Sequence, residues 1–236
     1  MASTKVKAVV IKGVNVTEKD KIIYLYSLEM GKISVSMRGV RGEKAKLKFA
    51  KEPFCFGEYY LEEAHNTYIV TAVDVIDNFY DLSKDIEKYY EASAILDIVD
   101  KTTGEANPQV FIELIKALKT LCYEDVKKYY VIDKFLLSLF GAMGYQFLSD
   151  RCSSCNSLLG LKYFNLDIGD IVCPACKTSA CIPISDACYS ALRIIDSTPY
   201  EKLSSVKLGG MGEVQAYNLL GQNYEWRTGY SLLKMI

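Results

Sequence analysis

Two groups of residues carry chemistry by type and spacing. The first is Cys152-Ser-Ser-Cys155 and Cys173-Pro-Ala-Cys176, two C-x2-C pairs with 17 residues (156–172) between them. Two cysteines three apart on a tight turn can aim both thiolates at one ion, and two such turns complete a tetrahedron. The expected ligands are Cys152, Cys155, Cys173 and Cys176, and the expected cofactor is one structural zinc per chain. Four sulfurs leave no open position for water, so the metal would hold the fold together and not catalyse. Two other readings stay open here: unligated core thiols, and a dithiol redox pair, since one C-x-x-C is enough for redox chemistry. Cys181 and Cys188 follow the second knuckle closely and are further ligand candidates, though buried filler is the plainer reading. Cys55 and Cys122 lie in apolar patterns and read as core.

The second group is a run of cations. Residues 32–51 carry Lys32, Arg38, Arg41, Lys44, Lys46, Lys48 and Lys51 against one acid, Glu43, a balance of +6. Residues 58–81 carry Glu58, Glu62, Glu63, Asp74, Asp77 and Asp81 with no Lys or Arg, a balance of -6. The whole chain, with 28 Lys+Arg and 29 Asp+Glu, is nearly neutral. Opposite excesses cancel in that total but not in space, and each sets up its own local field. The seven cations are therefore the candidate nucleic-acid contacts, with Tyr59, Tyr60 and Tyr68 as candidate stacking surfaces for unpaired bases. A solvated loop is the plain alternative for the cations, and a strand core the plain alternative for the tyrosines. The glycines of Gly39-Val-Arg-Gly42-Glu-Lys44-Ala lack the gap and the Ser/Thr of a phosphate loop.

What is scarce also informs. The chain has one histidine, His65, in 236 residues, and it falls in an expected turn. Ser-His-Asp, Cys-His and multi-histidine metal sites need imidazoles that this chain barely has, His65 reads as a surface residue and not a ligand or base, and no enzyme activity is expected. The first residues, MASTKVKAVVIKGV, do not read as a secretory signal. The longest low-charge stretch, from Phe135 to Leu148, is 14 residues and too short to span a bilayer. The expectation is a cytoplasmic protein with no membrane partner, its cysteines reduced or metal-bound.

The elements that must position these groups follow from periodicity. Val6, Ala8 and Val10 alternate with Lys5, Lys7 and Val9, the period of a half-buried strand. Residues 20–28, 32–40, 54–62 and 67–76 are four more strand-like runs, with Glu29-Met30-Gly31 and His65-Asn66 as turns. Five short strands with a longer link between the third and fourth predict a closed Greek-key barrel, the OB-fold. The period then changes. Residues 84–101 place Ile86, Tyr89, Tyr90, Ala94, Ile95 and Ile98 at helical spacing. A second helix starts at Asn107-Pro108 and runs to about Cys122; a third, about 125–145, is apolar nearly all round and so central. Residues 186–196 and 212–235 return to helical patterns. The resulting class is α+β: a nucleic-acid-binding OB-fold barrel over 1–81, then a mainly α-helical domain over 82–236 with a zinc-binding, four-cysteine insertion at about 150–182.

In this order the residues resemble a family. EKDKIIYLYSLEMGKISVSMRGVRGEKAKLKFAKEPF (18–54), a helical region, then CSSC and CPAC is similar to the RecO family of bacterial recombination mediators. Its most specific part surrounds Gly31-Lys32-Ile33-Ser34 and Arg38-Gly39-Val40-Arg41, closed by Pro53-Phe54. The resemblance implies an OB-fold that binds single- and double-stranded DNA and a helical domain with a zinc-binding insertion. It implies annealing of complementary strands coated with single-strand-binding protein (SSB) and, together with RecR, help in loading RecA. A bacterial, nucleoid-associated location follows. Carried over by position, Arg38, Arg41, Lys44, Lys46 and Lys48 match the family's basic segment, and the four cysteines match its zinc ligands. The SSB C-terminal tail is the further implied partner; Lys127 and Lys134, seven apart on one expected helix face, are the candidates to meet its acidic end. An OB-fold transcription or translation factor containing zinc, and a thiol-disulfide oxidoreductase, are the competing functions.

Overall fold

A computed structural model describes residues 3–40, 47, 49–64, 67–145 and 148–232. His65, Asn66 and the candidate contacts Arg41, Lys44, Lys46 and Lys48 fall outside the described residues. The chain divides into two compact units, Met1–Cys122 and Tyr123–Ile236.

The first unit is built on strands β1 (Ser3–Asn15), β2 (Lys21–Ser27), β3 (Gly31–Met37), β4 (Phe56–Ala64) and β5 (Thr67–Asp77), closed in the order β1-β2-β3-β5-β4. This is the expected OB-fold barrel. Strand β1 is long enough to serve two neighbours: Ser3–Val9 pairs with β4 and Ala8–Asn15 with β2. A register shift between Val10 and Lys12 lets it bend from one to the other. Parallel pairing of Val35 and Ser36 with Tyr68 and Ile69 closes the ring. Inward-facing Val6, Ala8, Val10, Ile23, Leu25, Val35, Met37, Tyr59 and Leu61 fill it, as period-two alternation requires.

Helix α2 (Pro108–Tyr123) begins where the sequence places it and α1 (Ile86–Thr102) two residues later than the expected 84, each for a capping reason. The Asp85 carboxylate accepts from the N–H groups of Glu87 and Lys88, and the Asn107 side-chain carbonyl from those of Gln109 and Val110. By packing, α1 and nearly all of α2 belong with the barrel, so the compact division falls at 122/123, whereas the periodicity changes at about 81. Phe111 of α2 stands 6.2 Å from the rings of both Tyr26 and Phe56. Gly31 (φ 67) opens β3 against the backbone of residues 104–106, where a Cβ would collide with Glu105, Ala106 and Gly104. The expected apolar stripe of α1 holds for Ile95 and Ile98, but its first turn does not follow: Ile86, Tyr89 and Tyr90 are exposed.

The second unit contains α3 (Tyr130–Ala142), α4 (Asp186–Ser197), α5 (Met211–Thr228) and a small sheet of β6 (Lys162–Asn165), β7 (Asp170–Val172) and β8 (Cys181–Ile184), ordered β7-β6-β8. Helix α3 is buried along most of its length, as its apolar composition predicts. It starts at Tyr130, later than expected, because Tyr129 takes a left-handed conformation (φ 75) that helix cannot pass through. Helix α5 stops at Thr228, short of the expected 235, where Gly229 (φ 74) forms the left-handed cap. No helix of the described residues is long and apolar enough to cross a membrane.

Candidate metal centre and nucleic-acid interface

Each cysteine pair sits on a turn held by backbone hydrogen bonds. In the first, the Cys152 N–H donates to the Ser157 carbonyl (2.9 Å) and the Asn156 N–H to the Cys152 carbonyl (2.8 Å), with Asn156 in the left-handed region (φ 60). In the second, Pro174 begins a single 3-10 turn closed by the Cys176 N–H on the Cys173 carbonyl (3.1 Å). The β6–β7 hairpin brings the turns together. Its reversal uses Gly169 (φ 71), and the Ser153 N–H donates to the Ile171 carbonyl (3.0 Å), docking the first knuckle on the end of β7.

The result is that the sulfurs of Cys152, Cys155, Cys173 and Cys176 all lie within 4.8 Å of one another. Tetrahedral thiolate ligands with bonds of about 2.3 Å to zinc would stand about 3.8 Å apart along each edge. Cys155 Sγ and Cys173 Sγ are 3.7 Å apart, so the set fits such a site, and all four are free thiols. Burial pushes the Cys152 thiol up, but N–H groups of Cys173, Cys155 and Ser154 outweigh it and hold it at about 6. Cys173 is likewise lowered, burial being outweighed by the N–H groups of Cys176 and Ala175. Cys176 goes the other way, to about 12, because the Cys155 and Cys173 sulfurs favour its protonated form. The four cysteines can hold one metal ion. Cys181 packs beside the cluster without joining it, its sulfur accepting from the Thr178 N–H at 3.2 Å. Cys188 is buried in the core, which pushes its thiol up to about 12.

The described cations of segment 32–51 end in three different places. Lys32 turns its ammonium onto Asp100 of α1, 2.5 Å from the carbonyl and 3.4 Å from the carboxylate. Lys12 reaches the same carboxylate at 2.7 Å. Burial raises the Asp100 carboxyl, yet the two ammonium groups more than compensate and hold it below its usual value. Lys51 lies flat on the barrel, 13% exposed, with its Nζ 3.4 Å from the Val40 carbonyl and 3.9 Å from Glu52. Arg38 is exposed at the end of β3 and forms no ion pair with another described residue. Beside it the Gly39 N–H donates to the Asp20 carboxylate (2.8 Å), which orients the start of the loop.

The tyrosines divide as well. Tyr59 is a fully buried core residue whose hydroxyl donates to the Ala50 carbonyl at 3.0 Å, so it offers no stacking face. Tyr60 donates to Asp74 (2.9 Å), and Tyr68 packs on the barrel core. Lys127 precedes α3 instead of lying on it, so it shares no helix face with Lys134. Its ammonium pairs with Glu213, and that of Lys134 bonds the Asp196 carbonyl. A feature that composition did not single out is Phe49, 72% exposed, at the mouth of an apolar cavity. Its signal was a phenylalanine inside a lysine run, Lys46-Leu47-Lys48-Phe49-Ala50-Lys51.

Comparison with known proteins matches residues 1–79 to the family model "Recombination protein O N terminal" and residues 83–235 to "Recombination protein O C terminal". Among relatives named DNA repair protein RecO, that of Thermoanaerobacter sp. (strain X514) is 27% identical, covering 89% of this chain and 87% of its own. That of Clostridium acetobutylicum is 26% identical over 95% of this chain and 94% of its own. That of Acetivibrio thermocellus is 29% identical over 86% and 83%. With the barrel and the helical half each matched along nearly their full length, the chain belongs to the RecO family.

Proposed function

We propose that this chain is a non-catalytic recombination mediator in bacterial DNA repair. It binds single- and double-stranded DNA and anneals complementary strands coated with SSB, whose C-terminal tail it meets. With RecR it assists the loading of RecA, in the cytoplasm at the nucleoid. The mechanism is electrostatic: cations neutralise phosphates so that two strands approach, and release of condensed counterions supplies the binding free energy. No side chain has to be activated. The observation that carries this reading is the end of β3, where exposed Arg38 opens the stretch of segment 32–51 that also holds Arg41, Lys44, Lys46 and Lys48.

Lys32 and Lys51 act within this reading as fasteners of the segment, one to α1 and one to the barrel. The metal held by Cys152, Cys155, Cys173 and Cys176 is zinc, which the all-sulfur donor set and the ligand spacing favour. Its role there is to cross-link two knuckles that otherwise share a three-stranded sheet of only 3–4 residues per strand.

The test is annealing of complementary SSB-coated strands by wild type and by an Arg38/Arg41/Lys44 charge-reversed variant, with metal content measured on both. Expected is a variant that keeps its zinc and fold and loses annealing. Normal annealing by a folded, zinc-loaded variant would refute the assignment.

A further inference from the structure

The β6–β7 hairpin ties the two cysteine knuckles together, and its base is fastened to the helices of the second unit. The Tyr189 hydroxyl of α4 donates to the Asp150 carboxylate (3.0 Å), and the Gln215 side chain of α5 donates to the Pro183 carbonyl (3.3 Å). The reversal at residues 166–169 is far along the chain from both fastenings, so they do not place it. A side chain of α5 does. Arg227, in the last turn, has its guanidinium carbon 3.7 Å from the centre of the Tyr145 ring. Its Nε donates to the Asn223 side-chain carbonyl (3.0 Å) and its Nη2 to the Leu166 carbonyl (3.4 Å).

Two features show that the hairpin and α5 are shaped around this guanidinium. A Cβ at Gly169 would collide with it and stand 3.2 Å from Cδ1 of Tyr145, so the reversal leaves the space that Arg227 fills. Asn223 is fully buried, and its Nδ2 has no hydrogen-bond partner among the described residues. An unmatched buried donor is costly, and the orientation that leaves it unmatched is the one that gives Arg227 Nε its acceptor. The planar fork, stacked on one ring and bonded on two edges, is a geometry that lysine does not reproduce.

From the reversal the path to the sulfurs is short. Buried Asn165 accepts from the Asp167 N–H (2.9 Å) within the reversal and donates to the Thr178 hydroxyl (3.2 Å), two residues past Cys176. On the other strand, the Ile171 carbonyl accepts from both the N–H (3.0 Å) and the hydroxyl (3.1 Å) of Ser153, the neighbour of Cys152. Holding the reversal therefore holds both knuckles. Groups beyond the ligands govern metal retention in this way, by fixing where the ligands stand.

We propose that Arg227 is a positioning residue for the metal centre, clamping the hairpin so that metal retention is coupled to the end of α5. The inference rests on the metal-site reading above. The coupling runs both ways: losing Arg227 loosens the knuckles around the ion, and losing the ion frees the hairpin from the last turn of α5.

The experiment uses the zinc-loaded full chain, with a chromogenic chelator to time zinc release. Emission from Trp226, the one tryptophan of the sequence and the neighbour of Arg227, reports on α5. Arg227→Met should release zinc about 10-fold faster than wild type, the low end of the range for groups that support metal ligands. Arg227→Lys, which keeps the cation without the fork, should fall between the two. Gly169→Ala should also speed release, and the double variant Gly169→Ala/Arg227→Met should be no faster than the faster single one, because both break one contact. Trp226 emission should shift as zinc leaves wild type and stay constant as it leaves Arg227→Met. Three results would each overturn the coupling: a folded Arg227→Met with the wild-type release rate, rates that multiply in the double variant, or wild-type emission indifferent to metal removal. A wild type that holds no zinc would bring down the metal reading as well. Circular dichroism reports folding, and Arg227→Lys decides the matter should Arg227→Met misfold.

Discussion

The four sulfurs of the C-terminal unit lie within 4.8 Å of one another, whereas the three described cations of segment 32–51 end on α1, on the barrel wall and in solvent. Both groups share a residue type and a short span of chain. They differ in tether length and in what they must meet. A cysteine sulfur is one bond beyond Cβ, so a knuckle turn places it almost as firmly as it places the backbone. A lysine ammonium is four bonds beyond Cβ and goes to whichever carboxylate or carbonyl the fold brings near. Close spacing of short side chains therefore predicts a site, while close spacing of long ones predicts only a supply of charge.

This contrast can be broken most forcefully at the cysteines. Cys173→Ala should remove the metal, and since structural zinc contributes roughly 10–16 kcal/mol in small fingers, the knuckles should unfold. Metal analysis should fall from about one zinc per chain to none. The unfolding transition of the second unit should shift, with the DNA salt dependence unchanged. A full complement of zinc in that variant would mean that Cys181 or another group had taken over as ligand.

At Gly31 the effect is smaller. A Cβ there must meet backbone atoms of residues 104–106 at a positive φ, so Gly31→Ala should destabilise the first unit by about 2–5 kcal/mol in denaturant unfolding. Asp100→Asn, which removes the partner of Lys12 and Lys32, should cost about 1–3 kcal/mol by the same measurement. The sign with pH follows from the lowered carboxyl. Asp100 stabilises the native state fully above its unfolded value near 3.8, and the contribution is lost as pH falls through the lower native one. Acid unfolding of the first unit should therefore lose this dependence in Asp100→Asn.

The smallest effect sharpens the contrast within the segment itself. Arg38→Ala should reduce the slope of log affinity against log salt by about 0.7 on single strands and 0.9 on duplex, without altering stability. Lys32→Ala should do the reverse, lowering stability with the slope nearly unchanged, because its ammonium is already engaged with Asp100. Equal slopes for Arg38→Ala and wild type would place the DNA contacts elsewhere.

Much of this architecture could be read in advance. Alternation at Val6, Ala8 and Val10 and in four later runs identified the barrel strands, because a strand with one buried face repeats every two residues. The helix start at Asn107-Pro108 was legible from helix-start chemistry, and that of α1 to within two residues from its period. The exposed first turn of α1 was not, because Tyr89 answers to Phe54, 35 positions away, and not to its own helical stripe. Tyr59 stayed open between strand core and stacking face for a like reason, and only its complete burial decides for the core.

Residue order alone was enough for the cysteine set, the strand count and the switch from strand to helix, since each depends on spacing within one turn or one strand. The tertiary structure decided which cations remain available and which rings gather around the cavity. Those outcomes depend on meetings such as Lys32 with Asp100 and Phe54 with Tyr89, between segments that no local period relates. Electrostatic and apolar contacts are short in space and indifferent to separation along the chain, so only the folded barrel with its helices could assign them.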